Sequence, residues 1–240
     1  MKILGIDSSG LVATVAIQSD DILVGEYTIH NKKTHSQTLL PMIQDMLRMA
    51  EVPVEELDAI AVAAGPGSFT GLRIGAATAK GLGQALNIPL VAVSSLEGLA
   101  YNLAGADALV CPIMDARRNQ AYYGIYDVSG ELPVVVVEQD AAPIDTVLQK
   151  ARETGREMIF VGDGVPVFAN RIAEEEGLAY RLGADNVRYQ KASSVAALGR
   201  KLMEQGKGMP AERFAPIYLR LSQAERERME KENISSGMEG

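Results

Sequence analysis

MKILGIDSSGLVATVAIQSDDILVGEYTIH, residues 1–30, holds three strand-like runs, Lys2–Asp7, Leu11–Gln18 and Asp21–Ile29. Ser8-Ser9-Gly10 and Ser19-Asp20 separate them with turn-forming composition, so three short antiparallel strands are the economical reading. From Thr34 or Ser36, either able to cap a helix, Leu39, Leu40, Ile43, Met46, Leu47 and Ala50 recur at helical spacing. Pro41 is tolerable there only near the first turn, and Val52-Pro53 closes the helix. Asp58–Ala64 is the β-branched and alanine run of a buried strand, broken at Gly65–Gly67; Phe69–Leu86 is helical in pattern, Pro89–Val93 a strand and Ser95–Ala104 a helix. The first half therefore reads βββαβαβα, an α/β layered arrangement.

The second half begins the same order again. Ala108–Asp115, Gln120–Val128 and Pro133–Glu138 read as strands, Ile144–Glu153 as a helix, Met158–Val161 as a strand, and Val165–Glu175 and Ser193–Gln205 as helices. Each half opens with a strand ending in aspartate (Asp7, Asp115), and each has a later strand ending in a Gly-x-Gly turn (Gly65–Gly67, Gly162–Gly164). A repeat with matching landmarks predicts two lobes, 1–104 and 105–221. The charged, glycine-containing remainder, 222–240, is expected to be a flexible tail.

Of the 240 residues, 47% are hydrophobic and 22% charged, enough to bury real cores. The formal charge of −8 offers little attraction to a phosphate backbone, so any nucleic acid would be held mainly by a partner. Cys111 is the only cysteine, which rules out an internal disulfide and reads as a small core residue in the apolar run 108–114. MKILGIDSSG turns polar too soon for a signal sequence, and no apolar run approaches a membrane span, so a cytoplasmic protein is expected. With two histidines, His30 and His35, a His-rich metal site is excluded by count and no metal is expected.

The stretch Gly65-Pro66-Gly67-Ser68-Phe69-Thr70-Gly71-Leu72-Arg73-Ile74-Gly75 is the most distinctive. A strand turning through glycines into a helix presents backbone N–H groups and a positive dipole end, which suits phosphate; equally, the small residues permit close packing. It fits neither the P-loop nor the dinucleotide pattern. Asp7 with Ser8 and Ser9 could position a magnesium-bound phosphate, or close the hairpin as an Asx-turn. Asp7, Gly65, Gly67 and Ser68 are accordingly the candidate nucleotide-site residues. The equivalent second-half turn, Asp115-Ala116-Arg117-Arg118-Asn119, lacks the glycine such a hairpin needs, so half of a nucleotide clamp is missing. Tyr122 and Tyr123 sit in a strand pattern that favours packing.

Helix 34–50 carries Met42 and Met49 beside its core stripe, and helix 69–86 is rich in Gly75, Ala76, Ala77, Ala79, Gly81 and Gly83. The glycines cost helix propensity, and small residues suit close approach of another helix, while methionines suit an adaptable contact. Burial inside the lobe is the competing reading.

A duplicated βββαβαβα unit is the plan of the actin-like sugar kinase and Hsp70 superfamily. ILGIDSS at 3–9, HSQTLLPMI at 35–43, DAIAVAAGPGSFTGLRIG at 58–75, AKGLGQALNIPLVAVSSLEGLA at 79–100, DARRNQAYYGIY at 115–126 and PIYLR at 216–220 resemble the bacterial TsaB (YeaZ) family over nearly the whole chain. The resemblance implies an actin-like fold and a non-catalytic role in forming N6-threonylcarbamoyladenosine in tRNA, beside the catalytic paralogue TsaD and the ATPase TsaE. It implies that the two first-half helices contact TsaD, or pair into a homodimer without it, through His35, Leu39, Met42, Met46, Met49, Arg73, Ala77, Lys80 and Gly81. It leaves the chain without a cofactor of its own, ATP or ADP belonging to the junction with the partner. The competing reading is a small actin-like ATPase or kinase using Asp7 and the Gly65–Gly67 turn.

Overall fold

The computed structural model describes residues 1–31 and 34–220. The tail expected at 222–240 lies outside the described residues. The opening strands are β1 (Lys2–Asp7), β2 (Ala13–Ser19) and β3 (Ile22–Ile29), followed by α1 (His35–Met49), β4 (Ala59–Gly65), α2 (Phe69–Leu86), β5 (Leu90–Ser94) and α3 (Ser95–Tyr101). β1 runs antiparallel to β2, from Lys2 against Ser19 to Asp7 against Thr14, and parallel to β4, with α1 in the crossover. The sheet order is β3-β2-β1-β4-β5.

The second half repeats this with β6 (Leu109–Asp115), β7 (Gln120–Asp127), β8 (Val134–Pro143), α4 (Ile144–Glu153), β9 (Met158–Val161), α5 (Gly164–Ala173), β10 (Tyr180–Leu182), α6 (Asp185–Arg188) and α7 (Ala192–Glu204). Its sheet reads β8-β7-β6-β9-β10, the first order over again. The predicted two-lobed, duplicated βββαβαβα plan is what the chain forms. Three details differ. β8 runs on to Pro143 because its far end keeps pairing with β7, Ala142 opposite Ala121 and Pro143 opposite Gln120. β10 and α6 are three and four residues long, below what periodicity can register. α3 stops at Tyr101, and the side-chain amide of Asn102 donates to the carbonyls of Val187 and Tyr189.

The central strands are buried on both faces, and their alternation sorts residues between two layers. Leu4, Ile6, Ile60 and Val62 pack with Leu39, Ile43 and Met46 of α1 and Ala76 and Ala79 of α2. Ile3, Ala59, Ala61 and Ala63 face the other way, against Val195, Ala196 and Leu198 of α7. In the second sheet, Leu109, Cys111 and Ile113 pack with α4 and α5, which makes Cys111 the core residue its surroundings predicted. Val110 and Met114 instead meet Leu96, Leu99 and Ala100 of α3.

The sheets fall on either side of residue 104, yet each borrows its second covering helix from the other half of the sequence: α3 lies on the second sheet and α7 on the first. Each fully buried Leu or Val in these layers contributes about 1.5–3 kcal/mol, so the exchanged helices tie the lobes together by core-like packing. After α7 the chain returns along the first lobe. Leu90 N–H donates to Met209 O (2.9 Å), Ile217 N–H donates to Ala64 O (2.7 Å), and Phe214 is buried.

Candidate functional site

Two surfaces qualify as functional: the cleft between the hairpins of the two lobes, and the outer face of α1 and α2. The cleft, of about 580 Å3, is bounded by Ser9 and Ser68 on one side, Asp115, Arg117 and Asp163 on the other, and Tyr218 and Arg220 of the returning segment.

The Gly-rich turn resolves toward close packing. Ser68 N–H donates to Ser9 O (2.7 Å), and Ser8 Oγ donates to Gly71 O (2.9 Å). A Cβ at Gly67 would stand 2.4 Å from Ser9 O, and one at Gly71 2.0 Å from Ser8 O, so both glycines let this turn dock on the first hairpin. The Ser68 hydroxyl caps α2 by accepting from Gly71 N–H. Two of the N–H groups that could have cradled an anion are thereby already engaged.

Asp7 is buried at the end of β1, and its Oδ1 accepts the Ser9 N–H at 2.8 Å, an Asx-turn. Burial pushes its carboxyl up to about 6, with the Ser9 bonds opposing and the charge of Asp163 adding to the rise. Asp163, which follows β9, is buried too and likewise pushed up to about 6, chiefly by desolvation; it accepts the Asp115 N–H at 3.1 Å. Sequence reading passed over Asp163, although its place between two glycines at a strand end marks it.

The second hairpin turn, Arg117-Arg118-Asn119, has three successive residues at positive φ (64°, 55° and 58°), doing without glycine what glycine does elsewhere. Arg117 pairs with Asp115 at 3.0 Å. A phosphate in the cleft would meet Arg117 and Arg220 as well as the carboxylates of Asp115 and Asp163, while Asp7 is buried beneath the first hairpin and does not line it. Tyr122 borders the cleft, whereas Tyr123 packs in the α4–α5 core.

The second surface corrects several sequence expectations. Leu39, Met42 and Met46 are 1%, 4% and 2% exposed; they are the core stripe of α1, and a charge at Met46 would be buried in the lobe rather than trapped between proteins. Lys80 is turned inward, its Nζ donating to Glu212 O and Phe214 O, both at 3.0 Å, so it anchors the returning segment. His35 is half-buried and its Nε2 contacts Gly10 O at 3.0 Å, which ties α1 to the first hairpin.

Arg73, Ala77 and Gly81 do face outward, spaced four residues apart on α2, and Met49 is 64% exposed. Leu40, assigned to the core by periodicity, is 46% exposed instead. With Leu47, Val52, Pro53 and Leu82 it borders an apolar groove of about 500 Å3 between α1 and α2. The groove escaped the sequence because it depends on how the 52–54 turn folds back beside the helices.

Fold and surfaces together define a protein of two-lobed actin-like fold with a cleft between its lobes and an apolar, small-residue helix face. The family model described as TsaD, tRNA N6-adenosine threonylcarbamoyltransferase, matches residues 23–228. The tRNA threonylcarbamoyladenosine biosynthesis protein TsaB of Bacillus subtilis is 36% identical over 226 residues, covering 94% of this chain and 96% of its own length. The Escherichia coli protein of that name is 30% identical over 225 residues, 92% of this chain and 95% of the relative. The solved structure of YeaZ from Pseudomonas aeruginosa superposes with a TM-score of 0.76 at 27% identity, over 91% of this chain and 99% of that one. The chain belongs to the TsaB (YeaZ) family of tRNA threonylcarbamoyladenosine biosynthesis proteins.

Among the described residues no helix is long and apolar enough to cross a membrane.

Proposed function

We propose that this chain is a non-catalytic subunit that binds a TsaD-type threonylcarbamoyltransferase through the outer face of α1 and α2, and so supports formation of N6-threonylcarbamoyladenosine in tRNA. The observation that carries the reading is that face itself: Arg73, Ala77 and Gly81 exposed along α2 beside the groove edged by Leu40, Leu47 and Leu82. Small residues on an exposed helix let a second helix approach closely, and an apolar groove of this size is a surface that gains by being covered. The cleft supports the same reading from the other side, since Asp7 is spent on an Asx-turn and the Gly-rich turn on docking.

In this proposal the catalytic groups belong to the partner, which also holds the tRNA, in keeping with the net charge of −8 here. A TsaE-type ATPase joins the pair in the cytoplasm, ATP or ADP sits at the junction between subunits, and the chain self-pairs through the same face when the partner is absent.

The test is to mix the purified chain with the TsaD-type protein of the same genome and to follow both association and tRNA modification, with Ala77→Arg as the interface variant. Association that Ala77→Arg abolishes, and modification that requires this chain, are expected. No complex, and modification indifferent to the chain, would sink the proposal. ATP cleavage by the isolated chain, lost in Asp7→Asn, would restore the kinase reading.

A further inference from the structure

We infer that Arg73 is a preorganised carboxylate clamp one turn into α2, on its outward row and beside the cleft residues Phe69 and Tyr218, and that the helix docking there belongs to a different protein and presents an aspartate or glutamate to it. The inference rests on the proposed use of this face and adds what the partner must carry.

Arg73 is exposed, yet its side chain is held. The guanidinium lies over the Phe69 ring, 4.0 Å from the centroid, and its Nε donates to the Tyr218 hydroxyl at 3.4 Å. Tyr218 is itself stacked on Phe69, with ring centroids 4.6 Å apart, and the segment carrying it is pinned by the Ile217 N–H to Ala64 O bond. Nη1 and Nη2 have no partner among the described residues. An arginine ordinarily loses substantial rotamer freedom when it binds. Here stacking and the tyrosine hydroxyl hold the planar group already, leaving free the two nitrogens that match a carboxylate in bidentate geometry. Ala77 lies one turn further along α2, so a helix can come close enough to reach the clamp.

The charge pattern selects the occupant. α2, Phe69–Leu86, contains no aspartate or glutamate, and the one acid in α1, Asp45, is paired with Arg48 at 3.0 Å. A second copy docked through these helices would offer Arg73 only Asp45, already facing Arg48, or Glu51 beyond the end of α1, and nothing from α2. A helix from another protein bearing an acidic residue would satisfy it, and the ion pair, once covered, would be desolvated and hydrogen-bonded rather than exposed.

The experiment measures affinity of the full chain for the TsaD-type protein of the same genome by calorimetry, using wild type, Arg73→Gln, Arg73→Lys, Tyr218→Phe and Ala77→Arg, with thermal melts confirming that each variant folds. Arg73→Gln is expected to weaken binding by about 30-fold or more. Arg73→Lys should recover only part of that loss, because an ammonium cannot make the planar two-bond contact. Tyr218→Phe should cost about 3-fold by releasing the guanidinium. If Arg73→Gln binds like wild type while Ala77→Arg abolishes binding, the face is the interface but the clamp is wrong. If neither variant changes binding, the reading of the face itself falls. If Arg73→Gln weakens self-association and spares the complex, the assignment to a different protein is overturned.

Discussion

The two opening hairpins descend from one plan and have been put to different uses. At the end of β1, Asp7 Oδ1 accepts the N–H two residues on, at 2.8 Å; at the end of β6, Asp115 Oδ1 accepts the Arg117 N–H in the same way, also at 2.8 Å. The bond is common to both, but its surroundings are not. The first turn is buried under the Gly-rich β4–α2 connection, and its neighbours Ser8 and Ser9 are engaged by Gly71 and Ser68. The second turn is open, and its arginines take left-handed conformations on the surface. A duplicated motif thus supplies a packing joint in one lobe and an exposed, charged rim in the other. Burial, more than local sequence, decides which.

The contrast can be broken most forcefully at the joint. Gly71→Ala places a Cβ 2.0 Å from Ser8 O, a backbone atom with little room to move, and should cost about 3 kcal/mol or more in urea unfolding. At the corresponding second-half turn, Gly164→Ala meets Ile113 O at 2.9 Å and should cost about 1–2 kcal/mol. Equal losses would mean that the two turns dock equally tightly.

A smaller effect separates the aspartates. Because burial raises the folded-state pKa of Asp7 from 3.8 to about 6, the folded chain binds this proton more tightly than the unfolded one. Stability therefore increases as pH falls through 6 toward 4, and the cost of the buried charge is fully present above 6. Asp7→Asn keeps an acceptor for Ser9 N–H. It should stabilise the protein at pH 8 by on the order of 2–3 kcal/mol and reduce the slope between pH 4 and 6, part of which remains because Asp163 is raised in the same direction. Asp115→Asn, which breaks a pair with the exposed Arg117, should change stability by less than about 1 kcal/mol. Thermal melts from pH 4 to pH 8 compare the two, and a slope unaffected by Asp7→Asn would refute the assignment. The smallest effect belongs to the open turn, where Arg118→Gly removes one left-handed side chain and should add about 1 kcal/mol in the same melts.

Much of the fold was legible because its signals are local. β1, α2, α4 and β9 run between the residues that periodicity and turn composition mark, and the aspartate and Gly-x-Gly landmarks announced the repeat. The surface was less legible. Hydrophobic spacing identified the stripe of α1 but could not say that Leu39, Met42 and Met46 point inward while Leu40 points out, since neighbouring apolar residues leave the phase of the stripe undetermined. Small residues on α2 fit either close approach of another helix or burial inside the lobe, and the same composition serves an interior contact at Gly71 and an open surface at Gly81.

By itself, the sequence determined the order of the longer elements, the duplicated lobes and the family, because strand and helix periods, turn residues and long shared motifs are written along the chain. Only the tertiary structure decided that α3 and α7 exchange sheets, that Asp163 joins Asp7 in burial, that Lys80 faces the returning segment, and that Tyr218 reaches Arg73 from 145 residues away. Each of these depends on which distant surfaces exclude water from one another, and no local pattern encodes that.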